Sequence, residues 1–324
     1  MELIYLDNYI KDLKKPSEIN KYNLASTIGM FDGMHLAHCA LIKKMVEVAK
    51  DKNYKSSAVT FVMHPDYVLE KRTNRGYLLE FDEKIKKFAE LNIDYLFVFT
   101  FTREFSLITR EQFEKILLSL NIKTLILGKD SKYGYNQEGN IETLKDKFEV
   151  IEFDDYKIDG APLHSKRIRM LFEAGKVEVA NQYLGYNFYV IGKVQKGNQL
   201  GRTFETKTAN IDLENNYNYL IKGVYGVNVF IRGKKYLGVC NVGNNPSFNY
   251  TEFKKLEVFV FDFDEDIYGE EIKVELITFI REEQKFATIT QLKNQIKKDI
   301  KYYQEYLKNR RIDQWELPSS ELWK

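Results

Sequence analysis

Cysteine, tryptophan, histidine and proline are scarce in this chain of 324 residues, with 2, 2, 4 and 5 copies. Cys39 and Cys240 lie too far apart to read as a metal-type or redox-type pair, which excludes a disulfide scaffold and fits a reducing compartment. An excess of one charge is missing too. Against 49 basic residues stand 47 acidic ones, and a net +2 makes no broad cationic field, so no nucleic-acid partner is expected. The basic run at Lys297, Lys298 and Lys301 falls on an amphipathic pattern and reads as a solvated helix face. No apolar stretch approaches the roughly 20 residues that span a bilayer. The segment from Met1 to Asp7 carries acidic residues where a signal peptide wants basic ones. A cytoplasmic location without a membrane partner is the expectation, and nothing in the sequence sets an oligomeric state.

What is present describes a globular chain, 44% hydrophobic and 30% charged, long enough for two domains. Short apolar or β-branched runs at residues 24–28, 57–62, 95–101, 124–127 and 149–153 predict strands. Helical periods lie between them. Leu41, Ile42, Met45, Val48 and Ala49 form one; Phe113, Ile116, Leu117 and Leu120 form another, opened by a Thr109–Gln112 capping box. Such alternation predicts a Rossmann-like α/β domain with a parallel sheet, whose sites sit at strand C-termini beside helix starts. From residue 187 the pattern changes to strands and turns, at 188–194, 224–231, 235–239, 256–263 and 272–280, with Gly233 at a hairpin. Strands so spaced suggest a small antiparallel barrel. A last helix from about Thr290 carries Leu292, Ile296, Ile300, Tyr303 and Leu307 on one face. Domains are therefore expected at 1–186 and 187–310, with a tail at 311–324.

The segment from Thr27 to His38 follows a strand and opens a helix. Gly29 and Gly33 permit tight turns, and a helix start offers N–H groups and a positive dipole end to a phosphate. His35 and His38, three apart, share one helical face and can aim at the same phosphate, stabilising charge that develops on its oxygens. Two plainer readings compete. A metal pair lacks a third ligand nearby apart from Asp32 or Cys39, and exposed histidines need have no role at all. Against the second, all four histidines (His35, His38, His64 and His164) fall in the first half beside glycine- or proline-bearing turns.

These residues resemble a family. Ile28-Gly29-Met30-Phe31-Asp32-Gly33 followed by His-x-x-His is similar to the bacterial bifunctional riboflavin kinase/FAD synthetases, of the nucleotidyltransferase superfamily with its H-x-G-H signature. Thr60-Phe61-Val62-Met63-His64-Pro65 resembles the family's T-F-x-P-H-P, and Gly128-Lys129-Asp130 with Tyr133-Gly134 its G-x-D-F-x-F-G. His164-Ser165-Lys166-Arg167-Ile168-Arg169 stands where the family has S-S-T-x-x-R, a second phosphate motif. Ala37, Met63, Ser131, His164 and Lys166 depart from the pattern, Lys166 replacing a hydroxyl with a point charge. The resemblance assigns Gly29, Phe31, Asp32, Ser165, Lys166 and Arg169 to ATP phosphates, and Asp130 to the flavin or nucleotide pocket.

In the second half, Gly197 and Gly201 make a flexible loop, and Thr208 and Asn210 alternate on one side of an extended segment, so two oxygens can face one Mg²⁺. Gly197, Gly201, Arg202, Thr203, Thr208, Ala209 and Asn210 match the family's G-x-x-x-G-R-T-L-G-F-P-T-A-N, with Glu205-Thr206-Lys207 in place of its Gly-Phe-Pro. Gly223-Val224-Tyr225, Asn241-Val242-Gly243 with Pro246-Ser247-Phe248, and Glu257 to Phe263 continue the match. The resemblance implies that Thr208 and Asn210 hold Mg²⁺ with ATP, that Gly197, Gly201 and Arg202 meet its phosphates, and that Asn241 lines the pocket. Glu257, by spacing alone an ordinary solvent-facing strand residue, takes the place of the catalytic base.

The fold implied is a nucleotidyltransferase domain followed by a six-stranded barrel with a C-terminal helix. The activity implied is phosphorylation of riboflavin to FMN, then adenylylation of FMN to FAD, with ATP consumed at both steps. A chain with only the kinase active, and a flavin carrier with neither chemistry, are the alternatives. Ala37, His164 and Lys166 favour the first of these; Thr208, Asn210 and Glu257 together speak against the second.

Overall fold

The computed structural model describes residues 1–7, 21–64, 68–69, 76–195, 208–212, 217–244 and 254–312. Their contacts form two compact units, one ending at His164 and one beginning at Ser165, with residues 76–78 grouped in the second.

The first unit runs β1 (Glu2–Tyr5), β2 (Leu24–Ile28), α1 (Leu36–Asp51), β3 (Lys55–Phe61), α2 (Phe81–Glu90), β4 (Tyr95–Phe99), α3 (Arg110–Ser119) and β5 (Ile122–Gly128). A short hairpin follows, β6 (Lys132–Tyr133) with β7 (Gly139–Asn140), then α4 (Ile141–Leu144) and β8 (Glu149–Phe153). A second hairpin, β9 (Lys157–Ile158) with β10 (Ala161–Pro162), ends it. Six strands form one sheet, β1-β4-β3-β2-β5-β8, and every pair in it is parallel. Both faces are covered, as such a sheet requires. Helix α1 buries Cys39, Ile42, Met45, Val48 and Ala49 over β2, β3 and β5. Phe113, Ile116 and Leu117 of α3 join Leu24, Val59, Phe97 and Leu125 in a separate cluster. The capping box forms as the sequence implies: Gln112 N donates to Thr109 Oγ1 at 3.3 Å, and Thr109 N donates to Gln112 Oε1 at 2.9 Å. Strand β1, which is not among the strands expected from sequence, is a largely exposed edge strand.

From β2 the chain steps outward through β3 and β4, then crosses back to β5 on the other side of β2. The direction of winding reverses between β2 and β5. In an open parallel sheet the strand ends at such a point diverge and leave a crevice.

The second unit runs α5 (Ser165–Glu173), α6 (Val177–Leu184), β11 (Tyr189–Gln195), β12 (Thr208–Asp212), β13 (Gly223–Ile231), β14 (Lys234–Asn244), β15 (Lys254–Val260), β16 (Glu271–Glu282) and α7 (Ile289–Ile312). Its six strands close into an antiparallel barrel, β11-β12-β15-β14-β13-β16. Helix α6 is fixed to the barrel by Asn181, whose amide accepts from Phe188 N and donates to Leu276 O, both at 2.8 Å. The contacts thus separate the units before α5, upstream of residue 186 where the hydrophobic pattern changes. Arg232 and Gly233, with φ of 48° and 75°, make the tight β13–β14 hairpin expected at Gly233.

Helix α7 packs through Tyr303, fully buried among Val224, Val239, Phe261 and Ile277. Asp299 takes a forked bond from Arg281 of β16, Nη2 to Oδ2 at 2.8 Å and Nε to Oδ1 at 3.0 Å, while Lys297, Lys298 and Lys301 face solvent as expected. Tyr303 lies over Gly226, where an added Cβ would fall 2.2 Å from its Cδ2. Gly226→Ala should therefore displace Tyr303 and lower the stability of the barrel by about 1–3 kcal/mol. A urea midpoint equal to that of the wild type would show that Tyr303 is not seated there.

Candidate functional site

In the first unit the loop after β2 is built around residues in unusual conformations. Phe31, Gly33 and Met34 have φ of 49°, 82° and 38°. A left-handed conformation costs a bulky L-residue about 1 kcal/mol or more, so packing must hold Phe31 and Met34 there. Both are buried, at 2% and 0% exposure. The Phe31 ring is wedged edge-on between Phe88 of α2, centroids 5.2 Å apart, and His38, 5.3 Å apart. Gly29 makes room for it, since a Cβ there would meet the ring at 3.2 Å.

This loop delivers the chain into α1 with His35 as N-cap, and no side chain caps the helix. The N–H groups of its first turn can then serve an anion. His35 and His38 stack, centroids 3.6 Å apart and planes 18° from parallel, which confirms the shared face. His35 is only 2% exposed, so the exposed-histidine reading fails for it. No group of three or more His, Cys, Asp or Glu among the described residues could hold a metal, so the metal-pair reading has no support. Asp32, 7% exposed, lies in the same loop.

A residue that the sequence reading passed over completes this region. Lys84, 5% exposed, points inward from α2. It donates to Met30 O at 3.1 Å, Phe61 O at 2.9 Å and Thr60 Oγ1 at 3.4 Å. The one signal was its spacing, four residues before Phe88 on the buried face of a helix whose other lysines look alike. Burial brings the Lys84 ammonium down to about 8, an effect that Asp32 partly opposes. Burial also holds His38 well below its ordinary 6.5, reinforced by the charges of His35, Lys84 and His164. His38 Nδ1 is shielded from solvent with no hydrogen-bond partner among the described residues. A neutral imidazole therefore waits at the helix start. The influence of His164 brings the residue just before α5 into the same electrostatic setting.

Beside Gly29, at the β2–β5 crevice, opens a cavity of about 810 Å³. Phe61, Phe101, Phe105 and Tyr133 wall it, and Asp130 stands at its polar side. Its volume is that of a site for a cofactor-sized ligand. Tyr133 is held from behind, its hydroxyl donating to the buried Glu114 carboxylate at 2.6 Å. This aromatic wall comes from three separate segments, and only Phe61 and Tyr133 lie in motifs noted from sequence. Ser165, Lys166 and Arg169 open α5, in the second unit. There Arg169, 5% exposed, donates to Gly76 O through Nη2 at 2.9 Å.

In the barrel the register aligns three expected residues. Asn210 of β12 and Asn241 of β14 are both direct partners of Glu257 on β15. Direct partners on antiparallel strands share a face. The alternate residues Ala209, Ile211, Leu256, Val258, Cys240 and Val242 are buried. Asn210 is 8% exposed, whereas the Glu257 side chain is 50% exposed with Lys255 Nζ 3.3 Å from its Oε1. Asn241 Nδ2 reaches Glu283 Oε1 at 3.3 Å. The Thr208 position, two along from Asn210, falls on the same face of β12. Gly197, Gly201 and Arg202, with Glu205-Thr206-Lys207 and Pro246-Ser247-Phe248, lie outside the described residues.

A parallel sheet with an uncapped helix start at its switch point, joined to a closed barrel with an aligned amide and carboxylate row, defines a two-unit transferase of the nucleotide-binding kind. Residues 17–170 match the FAD synthetase family model and residues 184–307 the riboflavin kinase model. The bifunctional riboflavin kinase/FMN adenylyltransferase of Listeria monocytogenes is 33% identical over 92% of this chain and 96% of its own. That of Escherichia coli is 31% identical over 90% and 95%. A crystal structure described as a macrolide-efflux protein from Streptococcus pneumoniae matches with a TM-score of 0.82 at 29% identity, covering 94% of this chain and 99% of that one. No helix among the described residues is long and apolar enough to cross a membrane. The chain belongs to the bifunctional riboflavin kinase/FMN adenylyltransferase family.

The depressed His38 makes a pH dependence. Its folded-state value lies below the unfolded 6.5, so the folded chain prefers the neutral ring. The stability that this contributes is complete above about 6.5 and is lost as pH falls toward the folded value. His38→Gln should flatten the fall of the first unit's urea midpoint between about pH 7 and pH 5. An unaltered slope would mean that His38 titrates as an ordinary histidine.

Proposed function

We propose that the chain makes both flavin nucleotides, the barrel phosphorylating riboflavin to FMN and the first unit adenylylating FMN to FAD with release of pyrophosphate. One observation carries this reading: two separate units of a single chain each gather polar groups, His35 and His38 in the first and Asn210, Glu257 and Asn241 in the second. The division of labour follows the family matches, the second of which begins at residue 184, close to the change of pattern at 186.

In the first unit the cavity beside Gly29 takes the flavin ring, with Asp130 at its polar edge. The FMN phosphate is then directed at the helix start. Its oxygen bonds to the α-phosphorus of ATP while the bond to the bridging oxygen breaks, and pyrophosphate leaves. The α1 N–H groups, His35 and His38 meet the charge that develops, with Gly29, Phe31 and Asp32 shaping the loop around it. Ser165, Lys166 and Arg169 are assigned to the phosphates as the second motif. Lys166 does so by charge alone, and Arg169 is the member whose fork suits two oxygens.

In the barrel Glu257 accepts the proton of the riboflavin 5′-hydroxyl as that oxygen takes the γ-phosphoryl group of ATP. Its exposure leaves the carboxylate within reach of a substrate from solvent. Gly197, Gly201 and Arg202 are assigned to the ATP phosphates and Asn241 to the flavin pocket. Mg²⁺ suits the donor types of Thr208 and Asn210 assigned to it, since threonine and asparagine are hard oxygen donors and Asn210 pairs with Glu257 in the register. When bound, it neutralises charge on the phosphates. A cytoplasmic location fits both substrates and reduced cysteines.

Chromatography of riboflavin, FMN and FAD after incubation with Mg-ATP tests the assignment. His38→Ala should lower FAD formation from supplied FMN about 100-fold or more while FMN still forms from riboflavin. Glu257→Gln should do the reverse, lowering FMN formation about 10²- to 10⁴-fold. Loss of both products in either variant would refute separate sites.

A further inference from the structure

The family reading leaves Lys84 without a task, and a lysine inside a protein needs a reason. An apolar side chain at that place on α2 would pack beside Phe88 without desolvating a charge. The three oxygens that Lys84 holds are informative. Met30 O belongs to the loop between Gly29 and Phe31, while Thr60 Oγ1 and Phe61 O belong to the end of β3. Met30 and Phe61 both border the cavity at the crevice. The ammonium thus ties together the two chain segments that meet there. Gly29 N, bonded to Val59 O at 3.0 Å, is the adjoining backbone tie.

The same charge is felt at His38, which it depresses together with His35 and His164. Asp32 is the acidic group that acts on Lys84 itself, and the Phe81 ring lies 5.0 Å from its Nζ. The helix start therefore has a cation fixed behind it. Surface lysines are screened by water and salt, but a buried one keeps most of its field.

We propose that Lys84 is a positioning residue for adenylyl transfer, locking the histidine loop to the end of β3 and placing a fixed positive charge behind His38. The inference rests on reading the first unit as an FMN adenylyltransferase. Lys84 does not touch the reacting atoms. It acts through the Met30 carbonyl, which sets the path of the loop, and through its field, which favours charge building on the departing pyrophosphate.

The test compares full-length wild type and Lys84→Met with FMN and Mg-ATP, following FAD and pyrophosphate. FMN formation from riboflavin by the same sample reports on the folding of the other unit. The variant should lose about 10- to 100-fold in kcat for FAD formation, with a smaller change in KM for FMN, because most of the cavity lining does not depend on Lys84. In ¹⁵N-imidazole spectra its His38 titration midpoint should move upward, since one charge holding it down is gone. An unchanged kcat overturns the proposal. So does a lowered kcat with an unmoved His38 midpoint, because that is loss of structure alone. Should Lys84→Met fail to fold, Lys84→Gln, which keeps donors but no charge, is read in the same ways. A wild type that makes no FAD overturns the reading of the unit itself, a result distinct from the others.

Discussion

A parallel sheet covered by helices on both faces can offer its chemistry only at the ends of its strands. In the first unit that constraint fixes nearly everything else. Because winding reverses between β2 and β5, the loops after these two strands diverge rather than cover each other. The loop after β2 carries Gly29 and the histidines, and the loop after β5 carries Asp130. Both border the same cavity. The aromatic wall follows from the same geometry, since Phe61 and Phe101 end or follow β3 and β4 and so arrive at the same edge.

The barrel solves the problem differently. A closed antiparallel sheet has no crevice between strands, but its register brings side chains of three strands into one row. Asn210, Glu257 and Asn241 become neighbours because β12, β15 and β14 are adjacent, although they are separated widely along the chain. Their inward-facing neighbours Leu256, Val258, Cys240 and Val242 fill the barrel and thereby fix the other face. A one-residue slip of β15 would bury Glu257 and expose Leu256. The apolar alternation that stabilises the barrel is thus also what keeps the carboxylate available.

Local features were legible in the sequence wherever a local force decides them. The Thr109 box, the tight turn at Gly233 and the bounds of β2 and β8 all follow from residues within a few positions of one another. The histidine pair was legible for the same reason, being set by helical spacing. What escaped depends on distant partners. Lys84 sits in an Asp-Glu-Lys-Ile-Lys-Lys run that looks like a solvated face, and only the loop carbonyls brought to it by the sheet explain its burial. Tyr133 shows no sign of its Glu114 partner until α3 and β6 are placed together. Likewise α5 and α6 continue the first half's pattern in sequence, yet Asn181 gives its hydrogen bonds to the barrel.

The electrostatics of the two sites differ in kind, and burial is the cause. Around His38, His35, Lys84 and His164 all oppose a further positive charge, and low solvent access leaves that opposition unscreened. The arrangement has little to recommend it until a polyanion arrives. A triphosphate beside these groups would offset their mutual repulsion and ease the suppression of charge on His38. On the proposed reading, that charge would then appear where the leaving pyrophosphate needs it. Glu257 faces solvent with Lys255 close by, so its field is screened by water and salt. On the proposed assignment, one unit holds positive charge in reserve for a phosphate and the other presents a carboxylate to a hydroxyl, and the different burial of the two units lets one chain hold both.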